Sequence, residues 1–135
     1  MPSLTCDIVT PAQLLYTQEC HMVVVPGEMG SMGFMKDHAP LVSSLADGIA
    51  RVYSDASTVA QTYALQGGYV QVTGEKVIIL ADRAIPVSDI DLAGVQAQAA
   101  ELESQIANLA EGSSERALLD IDLAWCKVQE HAVTA

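Results

Sequence analysis

A chain of 135 residues, half of them apolar and 17% charged, has room for one ordinary domain with a real core, or for one domain and a small appendage. Its net charge of −11 excludes a nucleic-acid binder, which needs clustered Lys and Arg, and disfavours direct adsorption to anionic lipid. Cys6, Cys20 and Cys126 are an odd, widely spaced trio without a CxxC; they read as reduced thiols and give no metal spacing with His21, His38 and His131.

Up to Ile85 the pattern is that of strands. Leu4, Cys6 and Ile8 alternate with Thr5, Asp7 and Val9 until Pro11 breaks the run. His21–Val25, Gly48–Ser54, Thr58–Leu65, Tyr69–Thr73 and Val77–Ala81 follow as short runs rich in Val, Ile and Tyr, separated by turn residues. Many short strands at such spacing predict an antiparallel sandwich or barrel. Cys6 and Cys20 fit it as small buried hydrophobes.

Within this region Gly27–Leu41, GEMGSMGFMKDHAPL, is the most distinctive stretch. Gly27, Gly30 and Gly33 permit positive φ or close backbone approach, and Pro40 keeps Ala39 extended, so the stretch reads as a hairpin tip of fixed shape. Met29, Met32, Phe34 and Met35 in it are either core filling or a docking surface. His38 either fixes the turn by hydrogen bonding or touches a partner. Gly67-Gly68, inside a strand pattern, predicts a bulge or a close backbone approach.

After Pro86 the period changes. Ser88-Asp89-Ile90-Asp91 resembles a capping box with Asp91 in the Glu/Gln place. Leu92, Val95, Ala99, Leu102, Ile106 and Leu109 then recur three and four apart. Glu111–Ser114 makes a turn whose serine can cap the next helix. A second series, Leu118, Ile121, Trp125, Val128 and Ala132, completes an antiparallel two-helix hairpin packed through these seams. The fold class is therefore α+β, with an antiparallel β-sandwich or barrel over residues 1–86 and a helical hairpin over 87–135. From residue 86 onward nine acids stand against two bases, Arg116 and Lys127, so the hairpin is the more acidic part.

No nucleophile elbow, Ser/His/Asp, Cys/His or HExxH spacing is present, so the chain is not expected to be an enzyme, and no cofactor is expected. The glycine pattern GxxGxxG is neither a dinucleotide fingerprint nor a P-loop. The longest apolar runs are too short to cross a bilayer, and no basic segment followed by an apolar one opens the chain; residence in the cytosol is the expectation.

Taken together and in order, CDIVTP, GEMGSMGFMKDHAPLV, LQGGYVQV, VIILADRAI and DID resemble the epsilon subunit of rotary ATP synthases, called delta in mitochondria, over nearly the whole chain. The resemblance implies a ten-stranded sandwich followed by two helices. It implies a noncatalytic rotor subunit of the central stalk, bound to the gamma subunit and the membrane c-ring, which couples proton-driven rotation to ATP synthesis. It places the protein at the cytoplasmic face of the bacterial cell membrane, peripheral and held only through the complex. Ring contact falls to Ser31, Met32 and His38, with Ser31 standing where the family commonly has an acid, so that a hydrogen bond replaces a charge contact. Some members bind ATP through an I/L-D-x-x-R-A pattern. Ile90 and Asp91 match it, while Gly94 and Val95 replace the arginine and alanine. The C-terminal helices reach the alpha and beta catalytic subunits in this family, and an acidic helix implies weak inhibition by that route. The alternative is a stand-alone β-sandwich ligand sensor with a mobile helical hairpin.

Overall fold

The computed structural model describes residues 3–135, and the chain divides into two compact units between Pro86 and Val87. The first unit holds ten strands: β1 Leu4–Val9, β2 Leu14–Cys20, β3 Met22–Gly27, β4 Gly30–Met35, β5 Leu41–Ser44, β6 Gly48–Tyr53, β7 Val59–Gln66, β8 Tyr69–Val72, β9 Lys76–Leu80 and β10 Arg83–Pro86. They form two five-stranded sheets, ordered β2-β1-β9-β8-β5 and β10-β7-β6-β3-β4. The pairing is antiparallel except between β1 and β9, which run parallel. The antiparallel sandwich expected from the sequence is thus found, with this one parallel pair within it. The chain leaves the first sheet after β2 for β3 and β4, returns to it for β5, crosses again for β6 and β7, and comes back through β8 so that β9 runs parallel beside β1. Such a parallel pair needs a long crossover, and the strands between β1 and β9, drawn from both sheets, supply it.

Alternation along the strands builds the core. Leu4, Cys6 and Ile8 of β1, with Val70, Val72, Val77 and Ile79, line the inner face of the first sheet. Val23, Val25, Phe34, Ala50, Val52, Tyr63 and Leu65 line that of the second. Phe34 is 1% exposed, which makes it a core residue rather than part of a docking cluster. Tyr63 meets Tyr16 edge-on at 5.9 Å between ring centroids.

The passage from β7 to β8 crosses between sheets at Gly67-Gly68, with φ of +62° and +103°. A Cβ on Gly68 would overlap the Leu80 carbonyl oxygen and lie 2.8 Å from the Ala81 Cα. Hydrogen bonds tie the crossing on every side: Gly67 N–H donates to Asp47 Oδ1 at 3.0 Å, Leu45 N–H to the Gly68 carbonyl at 2.9 Å, and Asp82 N–H to the Gln66 carbonyl at 3.1 Å.

The second unit begins with a 3-10 turn, Val87–Asp89, then α1 Leu92–Ala107 and α2 Ser114–Thr134. Asp91, not Ser88, is the N-cap of α1, its carboxylate accepting from Gly94 N–H; the 3-10 turn uses up the residues that resembled the capping box. Ser113 caps α2 by accepting from Arg116 N–H at 3.2 Å. Val95, Ala99, Leu102 and Ile106 are the buried face of α1, as the spacing predicts. On α2 the phase differs in the first turns: Leu119, Leu123 and Cys126 pack into the hairpin core while Leu118 and Ile121 are exposed, whereas Ala132 of the expected series is buried. Two apolar stripes run along α2, and periodicity alone cannot rank them.

All three cysteines are buried thiols. Burial pushes the Cys6 thiol up, helped by the neighbouring Cys20, and pushes the Cys20 thiol up to about 11. From an ordinary 9.0, that shift cuts the Cys20 thiolate fraction at pH 8 by about a hundredfold. Native protein should therefore react with a maleimide far more slowly at these positions than urea-unfolded protein. The folded state also holds the proton more tightly, so stability falls as pH rises past the ordinary thiol value; a urea-denaturation series from pH 7 to 10 checks the sign. In the same assay, Gly68→Ala should cost at least about 2 kcal/mol, through positive φ and backbone overlap, whereas Gly33→Ala should be nearly neutral.

Candidate functional site

The stretch Gly27–Leu41 is not one tip but an edge with a turn at each end. β3 and β4 pair from Met22↔Met35 to Gly27↔Gly30, leaving Glu28-Met29 as a two-residue turn. Gly30 has φ +123°, and a Cβ on Gly27 would sit 2.6 Å from the Gly30 carbonyl oxygen, so these two glycines make the turn possible. Gly33 does neither. A Cβ there meets only ordinary contacts beyond 3.6 Å, and its φ is unexceptional, which corrects the expectation for the third glycine. Met29 and Ser31 are exposed at this end, and Met32 packs partly against the core. A cavity of about 330 Å³ lies between this turn and Ser43-Ser44 of β5.

At the far end of β4, the loop 36–40 is built around Asp37 and His38. Asp37 takes φ +68° while its N–H donates to the Gly74 carbonyl at 2.6 Å. His38 N–H donates to the Met35 carbonyl at 3.2 Å, and Nδ1 lies 2.8 Å from the Ala39 carbonyl oxygen. The imidazole meets Phe34 edge-on at 5.0 Å between centroids. His38 is thus pinned by the core residue beneath it and still exposed to a partner. Pro40 delivers the chain into β5. At roughly 3.3 Å per residue, β4 carries Met35 about 13 Å beyond Ser31, so Ser31 and His38 stand toward opposite ends of the edge. Because β4 pairs only with β3, the other side of its backbone is open to a docking surface.

A second surface emerges only from the strand register. Leu14 pairs with Val9, Val9 with Leu80, and Leu80 with Tyr69, a row across four strands on the outer face of the first sheet. Leu14, Leu80 and Tyr69 are all exposed, Tyr69 at 58%, and the row borders a cavity of about 360 Å³ that includes Pro11 and Asp82 in its lining. One pair along, Asp7 is satisfied by Lys76 at 3.2 Å and by the Thr17 hydroxyl at 2.6 Å. These apolar residues come from β2, β1, β9 and β8, so no local window of sequence brings them together.

In the helical unit, Ile90 is partly buried against the hairpin core, and Asp91 is occupied as the cap. A Cβ at Gly94 would lie 2.6 Å from Asp91 Oδ2, so a side chain at the position of the motif arginine would press on that cap. Both bases of the hairpin are engaged within it: Arg116 Nη1 donates to the Leu109 carbonyl at 3.3 Å, and Lys127 Nζ meets Glu103 at 3.1 Å. Among the described residues, no group of three or more His, Cys, Asp and Glu side chains is placed to hold a metal ion, and no helix is long and apolar enough to cross a membrane.

Ten strands in two sheets with an open edge and an apolar outer row, followed by a helical hairpin, place the chain in the α+β class. Residues 3–87 match the family model described as the ATP synthase Delta/Epsilon chain, beta-sandwich domain. The ATP synthase epsilon chain of Rhodospirillum centenum is 38% identical over 131 residues, covering 96% of this chain and 82% of that one. That of Xanthomonas campestris is 37% identical over 108 residues, covering 80% and 76%. A chain of the Euglena gracilis mitochondrial ATP synthase shares the fold at TM-score 0.78 and 21% identity, over 98% of this chain and 82% of that one. The chain belongs to the ATP synthase delta/epsilon family.

The edge-on contact between His38 and Phe34 is worth about 1 kcal/mol. His38→Ala should lower the unfolding free energy of the full chain by that amount in urea, whereas Met29→Ala, at a fully exposed turn position, should leave it unchanged.

Proposed function

We propose that this chain is a noncatalytic central-stalk subunit of a rotary ATP synthase, which passes rotation of the c-ring to the gamma subunit. The observation that carries the reading is the pairing of family membership with two separate docking surfaces on one rigid body. A coupling element must hold two neighbours at once, and torque between them requires stiffness. The β4 edge, with Ser31 and Met32 toward one end and His38 beyond the other, is the surface for the ring. Its exposed polar and small groups suit polar loops. Ser31 supplies a hydroxyl there, so the contact is a hydrogen bond rather than an ion pair. The apolar row Leu14–Val9–Leu80–Tyr69 is the surface for gamma, where an apolar patch crossing four strands gives a partner something to bury.

The protein then sits at the cytoplasmic face of the bacterial membrane, held there by the complex. Contact of the helices with the alpha and beta subunits gives weak inhibition, since Arg116 and Lys127 are already committed inside the hairpin. Nucleotide binding through Ile90 and Asp91 is weak or absent, with Gly94 in place of a phosphate-binding arginine.

Reconstituting the complex with Ser31→Lys or His38→Glu tests the reading. Both sites are exposed, so the sandwich stays folded by circular dichroism. ATP-driven proton pumping in vesicles should fall several-fold while ATP hydrolysis persists. Tyr69→Asp with Leu80→Asp should abolish co-purification with gamma. Undiminished pumping by both edge variants would remove the ring placement, and retained gamma binding would remove the other surface.

A further inference from the structure

We infer that His38, on the edge proposed above as the ring surface, offers a bare Nε2 as hydrogen-bond acceptor to a neutral N–H of a ring loop, an inference that rests on that reading. A histidine side chain alone leaves open which nitrogen carries the proton; here the backbone decides. Nδ1 lies 2.8 Å from the Ala39 carbonyl oxygen, and a carbonyl can only accept, so the proton sits on Nδ1. The neutral ring then has its free lone pair on Nε2. Two contacts keep the imidazole from turning over. Phe34, itself in the core, holds it edge-on at 5.0 Å between centroids. Pro40 restricts Ala39 to extended backbone, which fixes the accepting carbonyl. His38 is exposed, and its Nε2 has no partner among the described residues. An oriented acceptor left without a donor is completed by a neighbour that brings one.

The surroundings select a neutral donor. Lys36 and Asp37 flank His38 on its own loop and cancel in charge. The 73–76 turn holds that loop through the Gly74 carbonyl, which accepts from Asp37 N–H at 2.6 Å. Glu75 and Lys76 stand on this turn, and Lys76 is paired with Asp7 at 3.2 Å. Charges of both signs surround the imidazole, so no strong field draws a cation or an anion, and a peptide or carboxamide N–H matches a neutral acceptor. An imidazolium carries N–H on both nitrogens, so on protonation donor would face donor. Histidine changes charge between about pH 5 and pH 8, whereas carboxylates and amines ordinarily titrate outside that window. Acid should therefore break the contact.

Two measurements on the whole chain test this. Long-range proton–nitrogen NMR correlations of the histidine rings at about pH 8 should show the His38 proton on Nδ1 and a bare Nε2, with the His38 signals identified by their loss in His38→Gln. A proton on Nε2 would overturn the inference whatever the ring does. Binding of the chain, in its complex with gamma, to purified c-ring should weaken as pH falls from about 8 to about 5, by up to about tenfold per unit. His38→Gln keeps a carboxamide oxygen and does not titrate, and should give a flat profile. His38→Arg, a donor at every pH, should bind weakly throughout. His21→Gln with His131→Gln, at the two other histidines, should keep the acid loss. A flat profile for the unchanged chain, or an equal acid loss in His38→Gln, would sink the donor match and leave the ring surface standing. No ring binding at any pH would remove both.

Discussion

The working surfaces of the sandwich depend on one close approach, the passage of Gly67-Gly68 against Leu80 and Ala81. There the chain leaves β7 in one sheet and enters β8 in the other, in a space with no room for a side chain at Gly68. The approach sets the register of β8 against β9. That register aligns Tyr69 with Leu80, and Leu80 in turn aligns with Val9 and Leu14. It also places β5, which pairs only with β8, at the rim beside the β3–β4 turn. A crossing fixed by backbone contacts on both sides can hold an outer face in shape without any of the outer residues being buried.

Edges matter as much as faces here. An open strand edge is a hazard in most proteins because its unpaired N–H and C=O groups template further pairing. β4 limits this with two glycines and a charged loop at Lys36-Asp37. What remains is an edge stiffened from beneath by Phe34, whose ring supports His38, and from one end by the Gly27–Gly30 turn. The same residues thus fill the core and hold the exposed ones in place.

The helical unit is organised differently. Its two helices share a narrow seam of Val95, Ala99, Leu102, Leu119, Leu123 and Cys126, with the Lys127–Glu103 ion pair across it and caps at Asp91 and Ser113. A seam of that size stabilises a hairpin only modestly against the entropy of ordering it.

Much of this was legible beforehand. Six strands showed in the alternation of β-branched and apolar residues, and those six are the interior strands of the two sheets. The four that left no such mark, β2, β4, β5 and β10, are the four edges. An edge strand is packed on fewer sides, so its residues answer to solvent and partners as well as to the core, and the alternation blurs. The Asp91 cap was hidden for a related reason, since Ser88 and Asp91 both have capping chemistry and only the 3-10 turn decides between them. Composition, period and turn residues, which act over a few neighbours, determined the division at Pro86, the strand-then-helix order and the α1 seam. The parallel β1–β9 pair, the separation of Ser31 from His38, the four-strand row and the choice of stripe on α2 arise from contacts between distant segments, and only packing in three dimensions decided them.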